Sequence, residues 1–308
     1  MNHIVKFNRL TSTKPRVSVL MTVFNAQKFI KESVESIIFQ TFPDWELIIV
    51  DDGSTDASAS IISHYSDNRI RFFPLEKNIG RTSALIFALN QAVGQYIAVL
   101  DADDVSDPNR LFEQASYLDN HLDIALVASW AYYVDEYGTV INELAPPTVK
   151  SHLYDSLGWT NPIAHSSAMY RLDAAKEVGG YPKNLIWAQD FGLILNLASR
   201  FGIAMIGKHL CKIRILTNSM TRSKKNRLIV AMEEKQLFTL AANNLNLSKK
   251  SLKLNQYANS ASDIKLGICE LDISLVNGLR MIFTTIFKSP LVLLNNAFVR
   301  KRIFKSRY

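Results

Sequence analysis

Apolar and polar positions along the first 135 residues follow two different periods. Short β-rich apolar runs alternate with longer stretches in which apolar residues recur at helical spacing, so the pattern indicates buried strands separated by amphipathic helices. The predicted strands are Arg16–Val23, Glu46–Val50, Ile70–Pro74, Tyr96–Leu100 and Ile124–Val134. The predicted helices between them are Ala26–Gln40, Ala57–Tyr65, Thr82–Ala92 and Pro108–Asn120.

This alternation is typical of βαβ units, which place helices on both faces of a mainly parallel sheet. We therefore predict an α/β fold with a Rossmann-like, mixed but mainly parallel sheet. Ligands of such sheets bind beyond the carboxyl ends of the strands. The candidate binding residues at the carboxyl ends of the first, second and fourth strands are Thr22, Val23, Phe24, Asn25, Asp51, Asp52, Asp101, Ala102 and Asp103.

The stretch IAVLDADD, at residues 97–104, ends a strand in three carboxylates within four positions. Crowded carboxylates disfavour each other's ionisation, and a hard divalent cation such as Mg²⁺ with phosphate co-ligands offsets that cost. A helix N-cap is the competing interpretation, and we favour it for Asp107, just before Pro108. For Asp101 and Asp103 we favour a role in binding metal and phosphate.

Further ligand-binding groups are expected near the third strand. Asn78 and Arg81 flank the start of a helix, where backbone N–H groups and a guanidinium suit phosphate. The carboxylate of Asp52 is suited to accept hydrogen bonds from a base or ribose. No GxGxxG motif follows the first strand. Its absence argues against a dinucleotide-dependent dehydrogenase.

Composition sets broad limits on the protein. A chain of 308 residues that is 48% hydrophobic can bury a sizeable core in one large or two modest domains. Cys211 and Cys269 have no metal-ligand spacing, which fits a reducing compartment. The amino-terminal segment has no apolar signal-peptide region. We expect a cytoplasmic protein.

Charge is divided unevenly along the chain. Residues 1–204 carry a net charge of −7, whereas residues 205–308 carry +14. Such asymmetry indicates a polyanionic partner, and without a nucleic-acid-binding motif we favour an anionic membrane over nucleic acid. The segment 279–299 contains too many polar residues to span a bilayer, so we predict a peripheral amphipathic contact on the cytoplasmic face, with a core-packing helical pair as the alternative. The residues assigned to this contact are Phe283, Ile286, Phe287, Leu291, Leu294, Arg300, Lys301, Arg302, Lys305 and Arg307.

Three stretches of the chain together resemble glycosyltransferase family 2, whose members have the GT-A fold. They are VSVLMTVFNAQKFIKESVESIIFQTFPDWELIIVDDGSTD, NIGRTSALIFAL and GQYIAVLDADDVSDPNRL, and they cover most of residues 16–115. The resemblance implies transfer of a sugar from a nucleotide-diphosphate donor, usually with inversion and with Mg²⁺ or Mn²⁺. It implies a DxD pair at Asp101 and Asp103, with Asp103 in direct contact with the metal. It also implies that the nucleotide is held by Thr22, Phe24, Asp52, Asn78 and Arg81.

The second half is expected to bind the acceptor. NPIAHSSAMYR, at residues 161–171, resembles the segment that lines the acceptor side of family members, and IWAQDFGLILNLA, at residues 186–198, resembles their Glu-Asp helix start. The resemblance makes Asp190 the general base, which takes the proton of the acceptor hydroxyl. The other residues predicted on the acceptor side are His165, Trp187 and Gln189, the last in the position of the family's Glu.

One stretch departs from the family pattern. In CKIRILTNSMT, at residues 211–221, Leu216 stands where relatives often have a metal- or phosphate-binding histidine. This leaves Arg214 as a candidate pyrophosphate ligand. A loop at 217–225 is a second candidate, through the basic residues Arg222, Lys224 and Lys225.

Taken together, the sequence predicts a glycosyltransferase domain over residues 1–225, with a donor half at 16–135 and an acceptor half at 136–225. A basic helical region at 226–308 follows, packed on that domain or on a second copy. We expect a UDP-sugar donor and a glycan or lipid-linked acceptor in surface polysaccharide assembly. One alternative is a non-catalytic nucleotide-sugar-binding module, suggested by Gln189 and Leu216. Others are a DxD phosphatase, whose motif normally closes the first strand, and a nucleotidyltransferase, whose glycine-rich loop is missing.

Overall fold

The structure is a computed structural model that describes residues 14–216, 224–270 and 275–288. Its strands are β1 (Val17–Val23), β2 (Trp45–Asp51), β3 (Ile70–Pro74), β4 (Tyr96–Val99), β5 (Val105–Ser106), β6 (Ile124–Val134), β7 (Val140–Leu144), β8 (Ala168–Arg171) and β9 (Gly202–Arg214). Its helices are α1 (Ile30–Ile38), α2 (Ser58–Ser63), α3 (Arg81–Gln91), α4 (Arg110–Asn120), α5 (Lys150–Leu157), α6 (Leu172–Glu177), α7 (Gln189–Arg200), α8 (Lys224–Asn244), α9 (Lys249–Glu270) and α10 (Leu275–Lys288).

The strands of the described residues form one nine-stranded sheet in the order β3-β2-β1-β4-β8-β6-β9-β5, with β7 paired to β6. Strands β1 to β4 are parallel to one another, and β8 lies antiparallel between β4 and β6. Because β8 reverses the direction once on each side, β6 and its parallel neighbour β9 run in the same direction as β1. The predicted α/β fold with a mainly parallel sheet is confirmed.

The apolar runs that predicted β1, β2 and β4 are continuous because both faces of the central strands are covered. One core cluster lies on the face packed by α1, α2 and α4. The other lies on the face packed by α3, α5, α7 and α8. All seven residues of β2 are buried, which accounts for the unbroken run LIIV at its centre.

All five predicted strands and four predicted helices are present, within a few residues of the expected bounds. The largest difference is at α1, which begins at Ile30 rather than Ala26 because residues 26–29 form a turn closed by Phe29 N–H donating to Ala26 O at 2.9 Å. Strands β5, β7, β8 and β9 were not predicted. Strand β8 has only four residues, and β9 mixes buried with exposed positions, so neither has a regular period of two.

Residues 226–275 lie largely in α8 and α9, as the predicted helical character requires. These helices pack on the rest of the chain, since Leu237, Phe238 and Ala258 belong to the same buried cluster as residues of α7 and the sheet. The buried Asn255 of α9 donates one hydrogen bond to Gly158 O and another to Phe238 O. Helix α8 begins at Lys224, and the regions before and after it share one core.

Helix α10 packs on α9 and exposes part of its apolar surface. Leu279 is 40% exposed and Phe283 is 56% exposed, whereas Thr285 is buried. Within the described ranges, no helix is both long enough and apolar enough to cross a membrane. Of the residues assigned to the membrane contact, only the Phe283 side chain lies in the described part of the chain.

Candidate functional site

The sheet order places a crevice at the carboxyl ends of β1 and β4. The chain passes from β1 to β2 and β3 on one side and then returns to β4 on the other side. Crossovers that diverge in this way leave a gap beyond the ends of the two strands, where α/β proteins bind ligands. The predicted site residues lie in the loops that border this gap.

The loops after β1 and β2 are joined by hydrogen bonds. Asn25 has a positive φ of 51°, and its Oδ1 accepts a hydrogen bond from Thr55 N at 2.8 Å. Its backbone N–H donates to Ser54 Oγ at 2.9 Å. The Asp51 carboxylate in turn accepts hydrogen bonds from Ser54 N–H and Oγ–H. Asn25 and Asp51 therefore hold the two loops together.

The other candidate residues at the end of β1 differ in exposure. Val23 is buried, and its carbonyl accepts a hydrogen bond from Asp52 N at 2.8 Å. Thr22 is half-buried. Phe24 is 36% exposed and offers an aromatic surface beside the crevice. Of these three, Phe24 has the most side-chain surface available to a ligand.

Asp52 supports the loop before α3. Its Oδ1 accepts a hydrogen bond from Ile79 N at 2.7 Å and its Oδ2 accepts one from Gly80 N at 3.0 Å. Burial raises the pKa of Asp52, and these two amides work against the rise. Gly53 makes room for this loop, since a Cβ there would lie 2.7 Å from Asn78 N. Asp52 thus positions Asn78, whose exposed side chain faces solvent.

Arg81 and Asp101 form the central ion pair of the crevice. Arg81 Nη2 lies 2.6 Å from Asp101 Oδ1 and 2.8 Å from Oδ2. Burial opposes ionisation of Asp101, but the charge of Arg81 outweighs it and lowers the pKa of this carboxyl. Burial also tends to lower the pKa of Arg81, but the charges of Asp101 and Asp190 raise it. Both groups are therefore charged at neutral pH.

Asp103 has a different environment. Burial and then the charge of Asp101 raise its pKa to about 6. Among the described residues, no cationic side chain forms an ion pair with its carboxylate, and no cluster of three or more metal-binding side chains is present. Ala102 is buried and its carbonyl accepts a hydrogen bond from Ser33 Oγ at 2.9 Å. The half-buried Asp103 carboxylate fits a hard cation that takes one or two protein ligands and completes its shell with phosphate and water.

Arg214 was predicted to bind pyrophosphate, and all its partners among the described residues are protein groups. Its side chain is 2% exposed, and it donates hydrogen bonds through Nε to Asp103 O at 2.9 Å and through Nη2 to Glu32 Oε2 at 2.7 Å. Its Nη1 donates to the carbonyls of Asp135 and Glu136. The guanidinium is occupied by protein acceptors, and through them Arg214 secures the Asp103 segment.

Asp104 is also structural. Its Oδ1 accepts a hydrogen bond from Arg214 N at 2.8 Å, and its Oδ2 accepts one from Ser166 Oγ. Ser166 Oγ in turn accepts a hydrogen bond from Asp101 N at 3.0 Å. Burial raises the pKa of Asp104 well above its usual range. The third carboxylate of the cluster therefore fixes the turn that presents Asp101 and Asp103.

His165 lies on the inner side of the crevice. It is 8% exposed, with Nδ1 3.4 Å from Arg81 Nη2 and Nε2 2.9 Å from the Tyr181 hydroxyl. Burial lowers the pKa of His165, so the imidazole is neutral at pH 7. Tyr181 also hydrogen-bonds to Tyr170. His165 thus contacts the side chains of Tyr181 and Arg81, and it lies beside the Arg81–Asp101 pair.

Asp190 lies in the first turn of α7, as predicted. Its Oδ2 accepts a hydrogen bond from Asn161 Nδ2 at 3.3 Å, and the side chain is half-buried. The negative charge of Asp190 acts to raise the pKa of Arg81 and that of His165. Asp190 therefore lies close enough to the crevice to interact with both groups. The helix dipole favours a negative charge in this first turn.

The two residues next to Asp190 in the sequence have different positions. Gln189 was predicted on the acceptor side; it is 1% exposed, and with its carboxamide nitrogen turned toward the carbonyls of Ile186 and Trp187 it donates hydrogen bonds to both. Trp187 is half-buried, and its Nε1 has no hydrogen-bond partner among the described residues. The loop predicted to carry Arg222, Lys224 and Lys225 falls at residues whose side chains lie outside the described part of the chain.

Several residues at the site were not named individually by the sequence analysis. Asn161, Ser166 and Tyr181 touch Asp190, Asp104 and His165 respectively, across separations of 16 to 62 positions. Glu233 on α8 reaches the loop before Asp190 across 45 to 47 positions. The motif NPIAHSSAMYR contains the first two of these residues, but nothing local distinguishes Tyr181 or Glu233.

The fold and site define a sugar-transferring enzyme of a known class, because the family model described as Glycosyl transferase family 2 matches residues 18–179, which is more than half of the chain. The chain belongs to glycosyltransferase family 2 and is a glycosyltransferase. This decides against the phosphatase and the nucleotidyltransferase. Asp190 and α8 lie beyond the matched residues.

Two relatives each align with 70% of this chain. The uncharacterized glycosyltransferase MJ1057 of Methanocaldococcus jannaschii is 37% identical over 223 residues, which are 70% of this chain and 77% of that protein. The putative teichuronic acid biosynthesis glycosyltransferase TuaG of Bacillus subtilis is 30% identical over 222 residues, which are 70% of this chain and 85% of TuaG. The chain is thus related to a polysaccharide biosynthesis enzyme.

Solved structures show the same GT-A fold. S. aureus TarS in complex with UDP-GlcNAc aligns with a TM-score of 0.61 and 19% identity over 93% of this chain and 81% of that chain. The mannosyltransferase PcManGT from Pyrobaculum calidifontis, in complex with GDP-Man and Mn²⁺, aligns with a TM-score of 0.59 and 17% identity over 96% and 89%. At this identity the likeness concerns the fold.

Proposed function

We propose that this glycosyltransferase moves a sugar from a nucleoside-diphosphate donor, with UDP favoured, to a hydroxyl of a glycan or lipid-linked acceptor. The observation that carries the proposal is the meeting of Arg81, Asp101, Asp103 and Asp190 at one edge of the sheet. It is supported by neighbours of the same fold whose structures contain UDP-GlcNAc or GDP-Man.

The donor would lie in the crevice between β1 and β4. The exposed Phe24 and Asn78 border the nucleotide side, and the loop amides held by Asp52 define its depth. Arg81 stands at the phosphate side with its charge maintained by Asp101. A guanidinium suits phosphate oxygens because its planar donors match their geometry.

A divalent cation, Mn²⁺ or Mg²⁺, fits the Asp103 carboxylate, with Asp101 close by. When bound, it would supply a Lewis acid that stabilises negative charge on the departing diphosphate. Asp103 would hold it, since this carboxylate has no ion pair with another described residue. The neighbour in complex with GDP-Man contains Mn²⁺ and supports this choice.

Asp190 would act as the general base of a single displacement. The acceptor hydroxyl oxygen forms a bond to the anomeric carbon, its proton moves to the Asp190 carboxylate, and the bond between the anomeric carbon and the diphosphate breaks. One displacement inverts the anomeric configuration. A neutral His165 next to Arg81 adds no competing positive charge near this base.

The acceptor would be bound near Trp187, with a membrane surface close to the basic end of the chain. The relation to TuaG supports a role in surface polysaccharide assembly. Exposed Leu279 and Phe283 on α10 precede the five basic residues of 300–307. Basic residues beside apolar side chains favour anionic lipid. Deletion of residues 279–308 should abolish sedimentation with phosphatidylserine vesicles, and unchanged sedimentation would remove the membrane from the proposal.

A thermal-shift screen tests the donor. UDP, GDP, dTDP and CMP and their sugars would be added with and without Mn²⁺ to the wild type and to Asp103→Ala. A ligand at 100 times its Kd stabilises the folded state by about 2.7 kcal/mol, so the correct nucleotide gives a clear rise in Tm. We expect a UDP-dependent rise that Mn²⁺ increases in the wild type only. No rise with any nucleotide would contradict donor binding.

A further inference from the structure

Helix α8 carries a buried carboxylate that the proposed reaction does not use. Glu233 is 6% exposed. Its Oε1 accepts a hydrogen bond from Ile186 N at 2.6 Å, and its Oε2 accepts hydrogen bonds from Trp187 N at 2.9 Å and Ala188 N at 2.8 Å. Three consecutive backbone amides thus converge on one side chain from a different part of the chain.

These bonds account for a charge that would otherwise be costly to bury. A buried carboxylate without partners is strongly unfavourable, whereas amide hydrogen bonds to an ionised acceptor are short and strong. The amides concerned precede α7, where no preceding turn supplies an acceptor for them. Glu233 therefore supplies acceptors to the loop that leads into Asp190.

The same loop is held at its other end by α3. Thr82 Oγ1 donates a hydrogen bond to Leu185 O at 2.7 Å. Thr82 directly follows Arg81, so one end of the loop is tied to the phosphate-binding helix and the other to α8. The position of Asp190 relative to Arg81 follows from these two attachments.

We propose that Glu233 is a positioning residue for the general base: it fixes the loop 185–188 and thereby sets Asp190 and Trp187 at the acceptor side. For its effect on turnover the inference rests on the proposed function. Misplacement of a catalytic group by about 1 Å can cost about 100-fold in rate, so a helix beyond the donor half controls the reaction through this loop. The carboxyl-terminal helices are then part of the catalytic unit.

The first test measures the loop without any substrate. In Glu233→Gln the side chain keeps its size, but its NH₂ group faces at least one of the three amides and cannot accept from it. Hydrogen exchange followed by mass spectrometry should show faster exchange in a peptide covering 185–191, because the lost acceptors lower the protection of these amides. Glu234→Gln is the matched control: it breaks only the ion pair with Lys265 and should exchange as the wild type does.

The second test measures turnover and donor binding separately. With the donor found by the thermal-shift screen, Glu233→Gln should lower kcat by about 10-fold to 100-fold and leave the donor Kd unchanged. Combined with Asp190→Asn, it should lower kcat no further, because a base that is absent cannot be misplaced. An independent structural role would instead add a second loss.

The outcomes are distinguishable. Wild-type exchange at 185–191 in Glu233→Gln, or faster exchange with wild-type kcat, would overturn the inference. Absence of donor binding and turnover in the wild type would overturn the proposed function. The exchange experiment would still test whether Glu233 fixes the loop 185–188. If Glu233→Gln does not fold, Glu233→Asp replaces it: the shorter carboxylate should give intermediate exchange and an intermediate kcat, and wild-type values of both would overturn the inference.

Discussion

The donor side and the acceptor side of the crevice are built in different ways. On the donor side, Asn25 contacts Thr55 and Asp52 contacts Ile79, at separations of 30 and 27 positions, which is about one strand–helix unit. On the acceptor side, Glu233 contacts Ala188 at a separation of 45 and Thr82 contacts Leu185 at 103. The loops after β1 and β2 are thus stabilised by neighbouring units, whereas the acceptor side needs most of the chain to be folded.

This difference has a consequence for function. Donor residues lie at strand ends that any sheet of this topology brings together. Asp190 instead depends on the loop held by α8 and on Asn161. The four variants below test whether the two sides really differ in this way, from the largest expected effect to the smallest.

Asp190→Asn should have the largest effect on activity. An amide cannot take the proton of the acceptor hydroxyl, and general-base catalysis contributes about 10²-fold to 10⁴-fold. We expect kcat to fall within this range while the donor Kd stays unchanged, as measured by donor turnover and nucleotide titration. Asp173→Asn, an exposed acid in the first turn of α6, is the control and should retain full activity. Loss of donor affinity in Asp190→Asn would show that the two sides are not separate.

Phe238→Ala tests whether α8 shares the core of the catalytic domain. Its ring is 1% exposed and packs near Phe191 of α7, with ring centroids 6.0 Å apart. Truncation of a buried Phe costs about 3–5 kcal/mol. Calorimetry should show one transition at a lower Tm. Met232→Ala, 57% exposed on the same helix, should change stability by less than about 0.5 kcal/mol. Two separate transitions in Phe238→Ala would mean that the helices form an independent module.

Asn255→Ala should have a smaller effect on stability. The side chain donates to the carbonyls of Gly158 and Phe238, and both acceptors would be left buried without this donor. An unsatisfied buried group costs about 1–3 kcal/mol, so urea denaturation should report a loss of about 2 kcal/mol. Gln256→Ala, at an exposed neighbouring position, is the control. An unchanged midpoint for Asn255→Ala would mean that α9 is not tied to α5 through this residue.

Asn25→Gly should have the smallest effect, confined to the donor side. Glycine tolerates the positive φ of 51° but cannot accept the hydrogen bond from Thr55. The loss of one such bond costs about 0.5–1.5 kcal/mol. We expect a modest loss of stability and weaker UDP binding in an isothermal titration. At saturating donor, kcat should equal that of the wild type. A lowered kcat would contradict the separation of the donor side from the chemical step.

What could be predicted from the sequence also differs between the two sides of the crevice. Five of the six strands and all four helices of the donor half were predicted, because each of these elements has its own apolar period. The DxD and VDDGSTD motifs are contiguous in the chain. For Arg214 and Gln189 the structure shows buried protein partners that the sequence did not indicate. A charged or polar residue beside a motif is suited equally to a ligand and to a buried protein partner, and only the fold shows which is present.

The sequence alone determined the mainly parallel sheet, the edge at which its polar residues meet and the membership of family 2. These depend on local periodicity and on motifs that are contiguous in the chain. Only the tertiary structure decided that Asp101 is paired with Arg81 while Asp103 has no ion pair among the described residues, and that Glu233 holds the loop before Asp190. Such contacts join residues that are far apart in sequence, and their strength depends on burial, which no local pattern records.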